Sequence, residues 1–129
     1  MIIIYTSKGS SSCRKAKEWF RNHNIAYYER DLSSETLTVD EIKRILQMTD
    51  DGTEDILSTR SNISKKVETE QLTLPLLYEL IQQHPDLLRL PIIMDEKRML
   101  AGYHRDEIRK FLPRKIRKFQ YWEYERNQA

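Results

Sequence analysis

Residues 2–32 read as one strand, a tight turn, an amphipathic helix and a second strand, and no other reading of this stretch is as economical. Ile2-Ile3-Ile4-Tyr5 is a short apolar run rich in β-branched side chains, as a buried strand requires. Ser7-Lys8-Gly9-Ser10-Ser11-Ser12 is small and polar, so the chain turns there. Cys13, Ala16, Trp19, Phe20 and His23 then fall at the i, i+3, i+4 spacing of one helix face. Asn22-His23-Asn24 stops the helix, and Ile25 to Leu32 supplies the second strand. Two strands joined through a helix must run parallel. The unit therefore starts an α/β domain.

Beyond residue 32 the chain departs from that alternation. Thr38-Val39-Asp40-Glu41 is a capping box, and Ile42, Ile45, Leu46 and Thr49 continue it as a helical stripe. Asp51-Gly52 breaks the helix, and Gly52 suits a positive φ or the close approach of a partner. Thr53 to Thr59 is expected as a short helix and Arg60 to Lys66 as a loop. Thr73 to Gln83 is expected as a further helix, with Pro75 in its first turn. No strand is expected between residues 36 and 88. Pro91-Ile92-Ile93-Met94, the turn Asp95–Arg98 and Met99 to Tyr103 then read as a hairpin, and 105–112 as a helix with Ile108, Phe111 and Leu112 inward. The order β-α-β, helices, β-β-α is that of a thioredoxin-like mixed sheet carrying a helical insertion. The expected division is a discontinuous domain of residues 1–35 and 88–129, with a subdomain of residues 36–87 inserted in it. Pro91 stands where such folds often use a cis proline, and the sequence leaves both isomers open.

Charge is distributed unevenly although the net value is only +2. Residues 1–30 hold six cations against two acids, and residues 31–56 hold two cations against eight acids. Residues 97–129 hold ten cations against four acids, with Arg114-Lys115-Ile116-Arg117-Lys118 the densest basic run. Solvated helix faces would account for this, and so would a nucleic-acid neighbourhood or a protein partner. Arg114, Lys115, Arg117 and Lys118 are candidate phosphate contacts, but no DNA-reading module accompanies them. With one cysteine in the 129 residues, a disulfide framework and a multi-cysteine metal site are excluded. His23, His84 and His104 have no ligand spacing, so neither metal nor cofactor is expected. No apolar run approaches the ~20 residues of a membrane helix. A soluble, cytoplasmic protein is expected.

Cys13 has two readings: a thiol activated at a helix N-terminus, or a small buried core residue. Around it the residues become recognisable. Tyr5-Thr6-Ser7-x-x-Ser10-x-x-Cys13-Arg14-Lys15-Ala16 resembles the opening signature of the Spx regulators, a branch of the arsenate-reductase-like family. The likeness continues through Asp40–Lys43, Asp51–Ile56, Ser58–Ser61 and Leu87-Leu88-Arg89-x-Pro91-Ile92-Ile93. It ends in Asp95–Arg98, Gly102-Tyr103 and Asp106–Lys115, and so spans nearly the whole chain.

The resemblance implies a non-enzymatic regulator that binds the C-terminal domain of the RNA polymerase α subunit and redirects transcription under thiol stress. It implies promoter DNA contact within the polymerase complex, and turnover by a ClpXP-type protease helped by an adaptor. It makes Gly52 an α-subunit contact and Arg60 a residue of the active oxidised state. The family switch is a Cys-x-x-Cys pair at positions 10 and 13. Here the first member is Ser10, which cannot form a disulfide. The chain is then either a form with that cysteine replaced, locked as if reduced, or a natural switch-less member. The competing reading is an arsenate-reductase-like thiol oxidoreductase. That chemistry needs a thiolate where Ser10 stands and arginines for the oxyanion. The arginine expected just before Pro91 is Leu90, and Arg89 is expected to point elsewhere.

Overall fold

The computed structural model describes residues 1–58, 73–84 and 87–113. Four strands, β1 (Ile3–Thr6), β2 (Tyr28–Asp31), β3 (Ile92–Met94) and β4 (Met99–Ala101), form one sheet in the order β2-β1-β3-β4. β1 pairs parallel to β2, with Ile3 opposite Tyr28, and antiparallel to β3, with Ile4 opposite Ile93. β3 and β4 are the expected hairpin. The result is the mixed thioredoxin-like sheet of the sequence reading.

Alternation along the two central strands decides where everything else packs. Ile4 and Ile93 point to one face, where they meet Ala16 and Phe20 of α1 (Ser11–Asn22) and Ile108 and Phe111 of the 3-10 helix Glu107–Phe111. Tyr5, Ile92 and Met94 point to the other face, where they meet Ile42 and Ile45 of α2 (Val39–Gln47) and Leu77 and Ile81 of α3 (Leu74–Gln83). The sheet is covered on both sides, which is why its central strands are apolar but for Thr6, whose hydroxyl donates to Glu29 at 2.7 Å.

Local signals place the helices. Ser10 is the N-cap of α1, its Oγ accepting from the Cys13 amide at 3.3 Å. At the far end His23 caps the helix with Nδ1 2.8 Å from the Trp19 carbonyl, and Asn24 turns the chain with φ +55°. Trp19 and His23, expected on the buried face, are only partly buried and stack on each other, ring centroids 4.2 Å apart. The capping box of α2 is complete: the Glu41 amide donates to Thr38 Oγ1 at 3.1 Å, and the Thr38 amide to Glu41 Oε1 at 3.0 Å. Thr73 caps α3, with Pro75 in its first turn.

Three expectations need correction. The short helix expected from Thr53 ends early: a 3-10 helix covers Gly52–Asp55, Leu57 then forms an antiparallel bridge with Leu88, and Thr59 lies outside the described residues. Ile56 and Leu57 are both buried, and the paired backbone bonds Ser58 to Leu87 and Arg89 to Ile56, each 2.7 Å, hold the chain extended. The helix expected over 105–112 is present but shorter, a 3-10 helix over Glu107–Phe111. Ile108, Phe111 and Leu112 are inward as expected. β2 is shorter than residues 25–32 suggested, because the Ile25 amide is spent on the Phe20 carbonyl behind α1. The Leu90–Pro91 bond is cis. The loop expected at Arg60–Lys66 and the basic stretch beyond Pro113 lie outside the described residues.

Candidate functional site

Two regions carry the residues singled out from sequence, and they lie at different places on the sheet. The first is the turn between β1 and α1. It opens on a depression of about 790 Å³ lined by Ser10, Ser11, Ser58, Arg89, Gly102 and Tyr103 among others. Hydroxyls and the Lys8 and Arg89 cations face it, and none of its lining residues is acidic. Cys13 does not line it. That side chain is 1% exposed, so the core reading of the lone thiol is the one realised.

Arg89 is the surprise of this region. Leu88 turns inward, 4% exposed, and alternation sends its neighbour the other way, over the turn. Arg89 was expected to point away from the site; instead it lines the depression, with Nη2 3.4 Å from the Leu57 carbonyl. Its stem lies across Gly102, where an added Cβ would sit 3.2 Å from Cγ and Cδ. The sequence reading missed this because it took residue 89 as a strand entry and had no sign of the Leu57–Leu88 bridge.

The second region is α2 and the turn after it. Gly52 adopts φ +72°, the left-handed conformation anticipated for it, and nothing lies within 4 Å of where its Cβ would be. The position faces open space. Asp55 gathers the preceding loop, its Oδ2 accepting the Asp50 and Asp51 amides at 2.9 and 3.0 Å. Asp50, Asp51 and Glu54 are left exposed around Gly52.

Beneath this surface is a charged latch that sequence inspection did not find. Arg30 of β2 donates through Nε and Nη2 to the two Glu41 oxygens at 2.9 and 2.6 Å, and through Nη1 to Glu35 at 3.2 Å. Glu41 is 7% exposed. Burial opposes its charge, but the bonds from Arg30 and Thr38 prevail and hold its carboxyl down at about 2. Burial, reinforced by the Glu41 charge beside it, pushes the Tyr5 phenol up to about 12. The capping box was visible as a local motif; its second duty, tying α2 to β2, depends on Arg30 eleven residues earlier and leaves no local pattern.

Arg60, Arg114, Lys115, Arg117 and Lys118 lie outside the described residues. Among the described residues no group of three or more His, Cys, Asp or Glu is placed to hold a metal ion. No helix among them is long and apolar enough to cross a membrane.

A thioredoxin-like sheet with a polar, cation-lined turn at the head of its first helix defines the arsenate-reductase-like class. Residues 5–111 match the ArsC family. Arsenate reductase from Vibrio cholerae superposes with a TM-score of 0.71, at 20% identity over 86% of this chain and 97% of that one. An arsenate reductase related protein from Brucella melitensis does so with a TM-score of 0.60, at 19% identity over 85% and 92%. These likenesses concern the fold. The nearer kinship is in sequence: the global transcriptional regulator Spx of Bacillus subtilis is 53% identical over 128 residues, 98% of each chain. Those of Staphylococcus saprophyticus and Staphylococcus aureus are 55% and 54% identical over the same share. The chain belongs to the ArsC family and, within it, to the Spx regulators.

Proposed function

We propose that the protein is a transcription regulator that works by protein contact, docking on the C-terminal domain of the RNA polymerase α subunit through α2 and the Gly52 turn. The observation that carries this reading is Gly52 itself. It is a left-handed glycine with open space over its α-carbon, set in an acidic rim and backed by a helix locked to the sheet. Such a surface is rigid, bare of side chain at its centre and complementary to a basic partner. Kinship with the Spx regulators over 98% of the chain supports it.

In this reading Arg60 belongs to the same regulatory apparatus. Arg114, Lys115, Arg117 and Lys118 contact promoter DNA only once the polymerase has positioned the protein, and a ClpXP-type protease with its adaptor sets the protein's level. Residues 36–87 act as the partner-facing subdomain on the thioredoxin-like frame. With Ser10 in place of the first switch cysteine and Cys13 buried, oxidants leave α-subunit binding unchanged. The same two facts weigh against a thiol oxidoreductase: the head of α1 presents a hydroxyl where that chemistry needs a thiolate.

The test is a calorimetric titration of the protein, and of its Gly52→Arg and Gly52→Ala variants, against the isolated α C-terminal domain. Binding by the parent, retained largely in Gly52→Ala and lost in Gly52→Arg, is the expected pattern. Equal affinity of parent and Gly52→Arg would contradict the docking site.

A further inference from the structure

Among the described residues the sheet ends in two edges, β2 and β4. An open edge invites another strand unless something blocks it. β2 is blocked by its own charges. The Tyr28 and Leu32 amides bond inward to β1, so Glu29 and Asp31 turn their backbone groups outward. A two-fold antiparallel pairing of two such edges sets Glu29 opposite Glu29 or Asp31, and like charges there repel. The Asp31 carbonyl is also taken by the Ser34 and Glu35 amides, each at 3.1 Å.

β4 has no such defence in its own sequence, Met99-Leu100-Ala101. The Asp95 amide donates to the Arg98 carbonyl at 3.0 Å and the Gly102 amide to the Pro91 carbonyl at 2.7 Å. Alternation along the hairpin then turns the backbone groups of Met99 and Ala101 outward. What occupies that edge comes from another element: Lys110 Nζ donates to the Met99 carbonyl at 2.6 Å. Lys110 is itself fastened. Arg98 donates through Nη1 to the Lys110 carbonyl, holds Asp95 Oδ2 through Nη2 at 2.8 Å, and lies 5.6 Å over the ring of the buried Phe111. Among the described residues no other group bonds to the outer side of β4.

We infer that the outer edge of β4 is a strand-docking surface for a second copy of this chain, and that Lys110 is the guard that keeps it closed. Antiparallel pairing of two β4 edges about a two-fold axis sets Leu100 opposite Leu100 and Met99 opposite Ala101 of the second copy. Both faces of that pairing are apolar and free of repulsion, unlike any self-pairing of β2. It requires the Met99 carbonyl that Lys110 holds. With the ammonium in place the incoming amide has no acceptor, and enclosing that charge between two strands without a counter-ion is unfavourable. The edge involves neither α2 nor the Gly52 turn, so the inference stands or falls independently of the α-subunit contact.

The experiment is light scattering over a concentration series of the full chain, its Lys110→Met and Lys110→Arg variants, and Lys110→Met/Ala101→Pro, with amide exchange read by NMR. Lys110→Met keeps the aliphatic stem and removes the charge. The parent and Lys110→Arg are expected to stay monomeric, while the mass of Lys110→Met rises toward double with concentration. The Met99 and Ala101 amides, which exchange freely in the parent, should slow by about tenfold in associated Lys110→Met. Adding Ala101→Pro removes an outward amide and should restore the monomer. Lys110→Met that is monomeric at every concentration would overturn the inference. So would association of the parent to the same extent, or association that leaves those two amides unprotected. Slow exchange of both amides in the monomeric parent would also overturn it, and that reading needs no variant to fold.

Discussion

Ser10 and Cys13 show how the residue type at one position limits what the head of a helix can do without altering its geometry. A serine at the N-cap satisfies a helix amide at least as well as a cysteine would, so the turn folds normally. What a serine cannot do is form a disulfide with Cys13. The 1% exposure of Cys13 predicts a thiol that reacts with an aromatic disulfide reagent only after denaturation. Stoichiometric labelling of the native protein within minutes would contradict that burial. Gly52 is the second decisive residue. Its φ of +72° means that Gly52→Ala carries about 1 kcal/mol of backbone strain without any steric clash. Urea unfolding should therefore show a small drop for both Gly52 variants, with only Gly52→Arg losing the partner. Both residues were legible from sequence in position and type. The placement of Arg89 was not, because its direction is set by a backbone bridge between residues 57 and 88 that no local pattern announces.

The elements that were easiest to foresee are those with complete local grammar. α1 has a cap, a stripe and a stop, and α2 has a reciprocal capping box. The helices expected over 53–59 and 105–112 are present only as short 3-10 helices, Gly52–Asp55 and Glu107–Phe111, because segments this short take their conformation from what they pack against. At α2 the local and the long-range signals meet in Glu41. Its carboxyl, held at about 2 against an ordinary 4.5, contributes stability that is fully present above pH 4.5 and lost as pH falls toward 2. The shift corresponds to up to about 3 kcal/mol. Glu41→Gln should abolish most of that pH dependence and destabilise the protein at neutral pH by about 2–3 kcal/mol, read from urea unfolding at pH 7 and pH 3. A Glu41→Gln protein as stable as the parent at pH 7 would show that the latch to Arg30 is idle. Thr38→Ala, which removes only the cap, should cost about 1 kcal/mol.

Taken as one object, the protein is a thin sheet between two unlike faces. The uneven charge noted along the chain becomes spatial once β1 and β3 assign their neighbours to opposite sides: α2, with exposed Asp40, Lys43 and Arg44, and the acidic Gly52 turn to one, and α1 with its exposed Arg14, Lys15 and Arg21 to the other. The βαβ start, the hairpin and the charge blocks were all readable along the chain, but the placement of those blocks on opposite faces was not. That step needs the antiparallel pairing of β1 with β3, a contact between residues some ninety apart. The most direct test is amide chemical-shift mapping of the labelled full chain during titration with the polymerase α C-terminal domain. We expect perturbation concentrated in Val39–Gln47 and Asp50–Asp55, with α1 and the serine turn unmoved. Perturbation centred on Ser7–Ser12 and α1, or none at saturating partner, would contradict docking through α2 and Gly52.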